Sequence, residues 1–178
     1  RLTTRAVDQS LSAPVATRLG EDEWRRQTLA GGYLMLTGRE LVPSLPADAP
    51  RVTVAAMGAI VPEAIQAVRF LAAEEVDANL VVVTSADRLH AEIAARRLGA
   101  LRGGGAVTHG HLEELFPASH RHVPLVTVLD GASHALAFLG GAFGARVVPL
   151  GSDTFGQTGT LPDLYDARSE EHTSELQS

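Results

Sequence analysis

The chain has no cysteine. That excludes disulfides, thiolate nucleophiles and cysteine-bound metals, and it fits a reducing, cytoplasmic setting. It has no lysine either, so all 15 basic side chains are arginine. A G-x-x-x-x-G-K-[ST] phosphate loop is therefore ruled out. No apolar run approaches the roughly 18–20 residues of a membrane span, so no membrane partner is expected. The formal net charge is −6, which gives no electrostatic reason to expect nucleic acid. A G-x-S-x-G nucleophile elbow is also missing.

Enough is present for a folded domain. The apolar fraction is 45%, sufficient for a core, and the length suits one domain of ordinary size plus an extension. Alanine, glycine, arginine, proline and valine dominate until residue 168, where the character changes. Residues 168–178, RSEEHTSELQS, read residue for residue as one frame of a common sequencing-library adapter. They are expected to be a non-native tail and are set aside from fold reasoning. The tail holds one Arg and three Glu, so 14 of the 15 basic and 18 of the 21 acidic side chains belong to residues 1–167. Arg1 is not an initiator methionine, and the simplest expectation is a gene fragment open at its start.

Residues 1–50 do not read as a self-contained domain. Residues 8–20 are small and polar and are expected to form a linker. Residues 21–30 carry acids first and bases later, which matches a helix dipole, and Gly31-Gly32 stops that helix. Residues 33–37 read as a strand and residues 41–50, with three prolines, as a loop. From residue 51 the pattern is regular. Strands are predicted at residues 52–57, 80–84, 125–129 and 146–150. Helices are predicted from Pro62 to Glu75, from a Ser85 cap to about Leu98, and over residues 134–143. A further helix start lies at residues 160–163. Residues 102–110 read as a flexible loop, with one or two helical turns over residues 111–116. Strand and helix alternate four times. This predicts an α/β fold: a doubly wound, mostly parallel sheet with helices on both faces.

Such a sheet carries its functional groups on the loops at the carboxyl ends of its strands. Those loops are residues 58–61, 85–87, 130–134 and 151–159, and right-handed crossovers put them on one edge. The polar groups they offer are Asp87, Asp130, Ser133, His134, Asp153, Gln157 and Thr158. Met57-Gly58-Ala-Ile-Val-Pro62 has a single glycine, so a dinucleotide fingerprint is lacking. Asp130 and His134 would lie four apart if the segment were helical, with the carboxylate able to orient the imidazole. Without a nucleophile, a capping Asp and a polar loop His is the favoured reading. His109/His111 and His120/His122 are H-x-H pairs without an acidic partner at metal-site spacing, so no metal site is assigned. Gly140-Gly141 inside a helical pattern implies close backbone packing or a local break. Phe155-Gly156-Gln157-Thr158-Gly159 presents backbone N–H groups before a helix start. It is either an anion site or a loop that redirects the chain.

Read together, the order strand, D-G-x-x-H, helix, strand, x-L-G-x-x-x-F-G-Q-[ST]-G, helix resembles the C-terminal domain of the transketolase superfamily. The details look closest to the single-chain type of thiamine-diphosphate-dependent 2-oxo acid (pyruvate) dehydrogenase first component. RLTTRAVDQ at residues 1–9, the helix-then-strand entry at residues 23–36 and Val83-Thr84-Ser85 agree with it. The resemblance spans roughly residues 1–165, and the F-G-Q-T-G loop is its most specific part. It implies that residues 1–50 are the end of a preceding pyrimidine-binding domain plus a linker, and residues 51–167 the last domain. The parent would be a homodimeric enzyme using thiamine diphosphate and Mg, with an acyltransferase core as a further partner. No G-D-G…N motif occurs here and the catalytic glutamate would precede Arg1. No catalytic, cofactor-binding or metal-binding residue is therefore assigned. Asp130, His134 and residues 155–159 remain candidates for a ligand or an interface. The alternative expectation is a stand-alone α/β module that binds a small anion or regulator at those two loops.

Overall fold

The computed structural model describes residues 8–106 and 108–153. The helices and strands follow in the order α1 (Ala13–Leu19), α2 (Glu21–Ala30), β1 (Gly32–Leu36), α3 (Gly38–Leu41), β2 (Arg51–Met57), α4 (Val61–Ala73), β3 (Asp77–Val83), α5 (Ala86–Gly103), α6 (Leu112–Leu115), β4 (Leu125–Leu129), α7 (Phe138–Phe143) and β5 (Val147–Leu150). 3₁₀ turns lie at Gln9–Ser12, Gly58–Ile60, Ala118–His120 and Ser133–Leu136.

The strands form one sheet in the order β1-β3-β2-β4-β5. β2 runs parallel to both β3 and β4, β4 runs parallel to β5, and β1 is antiparallel to β3. The sheet is mostly parallel, with helices on both faces, as the alternation predicts. Successive side chains of a strand point to opposite faces, and the core divides accordingly. Val54 and Ala56 of β2 and Leu80 and Val82 of β3 pack with α4 and Val15 of α1. Ala55, Val81, Val83 and Leu125 pack on the other face with Leu89 and Ile93 of α5, Leu112 and Leu115 of α6, and Leu139 of α7. All seven residues of β3 are buried, which is why its LVVV run is continuous rather than alternating.

Four expectations are corrected. The segment expected to be a linker is a turn followed by α1, because Leu11, Val15 and Leu19 recur every four residues and pack on the first cluster. The intervening small and polar residues mask that stripe. β3 begins at Asp77 rather than Leu80, since Asp77 and Asn79 are polar yet buried in the sheet. α5 runs on to Gly103, past Gly99. The left-handed residue that ends it is Gly104, at φ +65°, and Ala100, Leu101 and Arg102 between are good helix formers. Residues 134–143 divide into the Ser133–Leu136 turn and α7, so Asp130 precedes any helix.

The link from β1 to β2 must pass β3, which lies between them. Arg39 donates to the carbonyls of Leu45 (3.2 Å) and Pro46 (3.1 Å), and Arg51 donates to that of Ala47 (2.8 Å). Both guanidiniums converge on the Asp77 carboxylate, with Nε–Oδ2 distances of 3.0 Å for Arg39 and 3.6 Å for Arg51. This cluster pins the proline-rich loop across the amino end of β3.

The two adjacent glycines of α7 behave differently. A Cβ on Gly140 would lie 1.9 Å from Val147 Cγ2 on β5, whereas one on Gly141 meets nothing within 4 Å. Gly140→Ala should therefore destabilise by about 1–3 kcal/mol through overpacking. Gly141→Ala should stabilise by up to about 1 kcal/mol through helix propensity. Urea unfolding of the two variants checks the pair, and the opposite order would contradict this packing.

Candidate functional site

The chain leaves β2 for β3 on one side and returns to β4 on the other. The switch point therefore lies between β2 and β4, where open α/β sheets accept ligands beyond the strand ends. Two of the predicted loops flank it: the turn Gly58–Ile60 after β2 and residues 130–132 after β4. Gly58 has φ +86°, a conformation suited to glycine, and an added Cβ there would meet open space.

The loop after β5 is tied to the loop after β4. Ser133 N–H donates to Asp153 Oδ1 at 2.8 Å, and Ser152 N–H donates to the Gly131 carbonyl at 2.8 Å. Gly151 makes that approach possible, since its Cβ position lies 2.5 Å from the Gly131 oxygen and 2.6 Å from Ser133 N. The structure thus joins Ser133 and Asp153, two of the predicted groups. Asp130 and His134 are both exposed. They flank the same turn but do not share a helix, so the four-residue helical pairing is not formed. Asp87 sits exposed in the first turn of α5, beyond β3 and away from the switch point. Phe155, Gly156, Gln157, Thr158 and Gly159, like the helix start at residues 160–163, lie outside the described residues.

Each H-x-H pair is divided between a buried and a more accessible ring. His111 is buried and its Nε2 donates to the Gly32 carbonyl at 2.8 Å, while Nδ1 lies 3.2 Å from Glu114. His109 packs at a tilt against Phe143, with 4.9 Å between centroids. His120 is buried with Nε2 donating to the Asp77 carbonyl at 3.2 Å, and His122 donates from Nδ1 to the Phe143 carbonyl at 2.8 Å. His111 and His120 fasten α6 and the turn after it to β1 and β3, while His109 and His122 reach Phe143 of α7. Among the described residues no group of three or more His, Asp or Glu is placed to hold a metal ion. No step through thiamine diphosphate is derived for this chain. Among the described residues no helix is long and apolar enough to cross a membrane.

A charged network joins α2 to α6. Arg26 binds both oxygens of Glu23 at 2.8 and 2.7 Å and also pairs with Glu114. Hydrogen bonds from Arg26, then Gln27, hold the Glu23 carboxyl down at about 2 from an ordinary 4.5. The His109 backbone N–H lowers Glu113 in the same direction. A lowered carboxylate stabilises the fold fully above its unfolded value and loses that effect as pH falls through its folded value. Fluorescence of Trp24, on α2 beside Glu23, is therefore expected to report loosening of this helix between pH 4.5 and about 2. In Glu23→Gln that transition should shrink, and an unchanged acid limb would contradict the assignment.

Sequence reasoning missed this network, the Asp77 cluster and a cleft between α2, α5 and α6. Glu23 and Arg26 are an i,i+3 pair that spacing could have offered, but the reach of Arg26 to Glu114, the Asp77 cluster and the cleft unite residues far apart in the chain.

A mostly parallel five-strand sheet with helices on both faces and a switch point between β2 and β4 defines the class as a doubly wound α/β domain. Within that class the chain belongs to the transketolase-like TK C-terminal domain family, whose model matches residues 31–169. Among curated proteins, none matches the chain. The match takes in β1 as well as the strands after residue 51, in keeping with the pairing of β1 to β3 in the same sheet.

Proposed function

We propose that the chain is the last domain of a thiamine-diphosphate-dependent enzyme. The parent either decarboxylates a 2-oxo acid, as a pyruvate dehydrogenase first component does, or transfers a ketol unit, as a transketolase does. The chain's own role is packing: it supports the remaining domains of the parent and a second subunit of a homodimer, and the parent of the dehydrogenase type would also meet an acyltransferase core. The observation that carries this reading is the family match over residues 31–169. The test is to read the genomic DNA upstream of Arg1 and assay the whole frame. The expected result is an in-frame domain bearing the catalytic glutamate and a G-D-G motif. The full frame should then turn over a 2-oxo acid or ketose with thiamine diphosphate and Mg, while residues 1–167 alone do not. A start codon shortly upstream, with neither feature, would sink it.

The tie between the loops after β4 and β5 favours a second reading, a small-anion site at Asp130, His134 and residues 155–159. Titrating phosphate into residues 1–167 should then move the amide signals of residues 156–160. Silence at those amides counts against it.

A further inference from the structure

The cleft between α2, α5 and α6 has a volume of about 580 Å³ and lies on the far side of β3 from the switch point. Three guanidiniums line it, Arg26, Arg88 and Arg96, in a chain whose formal net charge is −6. Its two carboxylates are already engaged. Glu114 pairs with Arg26 and His111. Glu92 accepts from Arg96 Nε at 2.9 Å and from the His111 backbone N–H at 3.3 Å. The arginines are not used up to the same extent. Among the described residues the Arg88 side chain makes one hydrogen bond, from Nη1 to the Leu29 carbonyl at 3.1 Å, which leaves Nε and Nη2 as donors. Arg26 uses Nε and Nη2 and keeps Nη1. Arg96 is held by Glu92 and by the Thr108 hydroxyl at 3.0 Å, so it contributes charge more than free donors.

Between these side chains the lining is small: Ala30, Ala91 and Gly110. Gly110 has φ +58°, and a Cβ there would sit 1.9 Å from Glu92 Oε1, so the chain closes directly on the Glu92–Arg96 pair and keeps it against the wall. Glu23 and Glu114 balance Arg26 and Glu92 balances Arg96, so Arg88 is the guanidinium of the lining without a carboxylate partner among the described residues; its charge, with unused planar donors from two helices, suits an anion with several oxygens. The volume is in the range of small-molecule sites and far exceeds one bare ion. We propose that this cleft binds a small organic phosphate, its phosphoryl oxygens held by Arg26 and Arg88 with Arg96 supplying field.

The experiment is an amide-resolved titration of the whole chain with glycerol 3-phosphate, with inorganic phosphate and acetate as comparisons at matched ionic strength. Saturable shifts are expected at Ala30, Ala91 and Gly110, strongest for glycerol 3-phosphate. Arg88→Gln, which removes an exposed side chain bonded to one carbonyl, should weaken that binding about tenfold, as loss of a charge-assisted contact does. Three results would overturn the proposal: no saturation, shifts unchanged in Arg88→Gln, or equal shifts from acetate or inorganic phosphate. Shifts confined to residues 156–160 would also overturn it, and would speak instead for the switch-point site.

Discussion

Asp77→Ala is expected to lower stability by about 3 kcal/mol, the lower end of the range for breaking a buried ion pair. The carboxylate is 2% exposed and receives Arg39 at 3.0 Å and Arg51 at 3.6 Å. Removing it leaves two guanidiniums facing a cavity at the start of β3. The lower end applies because both partners are partly in water, with Arg39 42% exposed. The loss extends to the loop that the two arginines fasten through the carbonyls of Leu45, Pro46 and Ala47. His120 adds a further stake, since its Nε2 donates to the Asp77 carbonyl and depends on the backbone staying in register. Urea unfolding should show a lower midpoint with an unchanged slope. Asp77→Asn, which retains an acceptor for Arg39, should lose less. Equal losses in both variants would mean that shape rather than charge holds the crossing, and no loss in either would refute the pin.

Gly151→Ala is expected to cost about 2–4 kcal/mol, the sum of steric strain and two hydrogen bonds put at risk. The added Cβ would meet the Gly131 oxygen at 2.5 Å and Ser133 N and Cα at 2.6 Å. These are backbone atoms of one turn, and they have no rotamer by which to retreat. Relief requires the loop after β5 to move off the loop after β4. That separates Ser152 N from the Gly131 carbonyl and Ser133 N from Asp153, both now at 2.8 Å. The variant should unfold earlier in urea and shift the amides of Gly131 and Ser133, while Gly141→Ala, equally a glycine replacement, does neither. A variant as stable as the parent chain, with those amides unmoved, would show that the two loops are not in contact.

The elements legible in the sequence are those whose pattern is local. α4 has Ile65, Val68 and Ala72 on one face behind Pro62, and all three are buried. The second half of β3 is a β-branched run, and such a run reads as a doubly covered strand without outside help. α1 was not legible, because three apolar residues among small polar ones form a stripe only if something covers them, and the sheet does. The first residues of β3 were hidden for a related reason. Asp77 looks like a loop residue until Arg39, from α3, and Arg51, from β2, supply its counter-charges. α5 overran its predicted end because Gly99 penalises a helix without stopping it, whereas Gly104 adopts the left-handed conformation that does.

The candidate site divides in the same way. That residues 130–134 and 151–153 follow parallel strands could be read from strand and helix alternation, since right-handed crossovers put such loops on one edge. That Ser133 is tied to Asp153, and that Asp130 and His134 share no helix, depends on how the turn after β4 settles against β5. The arginine cleft was invisible. Arg26, Arg88 and Arg96 each look like an ordinary solvated side chain at its own helix position, and only the packing of α2 and α6 beside α5 makes them neighbours.

By itself, then, the sequence determined the layer architecture and the edge that carries the loops. Periodicity and turn chemistry act over a few residues and are written wherever the chain is read. Tertiary structure alone decided the strand order, the pinning of the β1–β2 crossing at Asp77, and the gathering of charge between α2, α5 and α6. Each of these rests on groups brought together across long stretches of chain, which no pattern of a few residues places side by side.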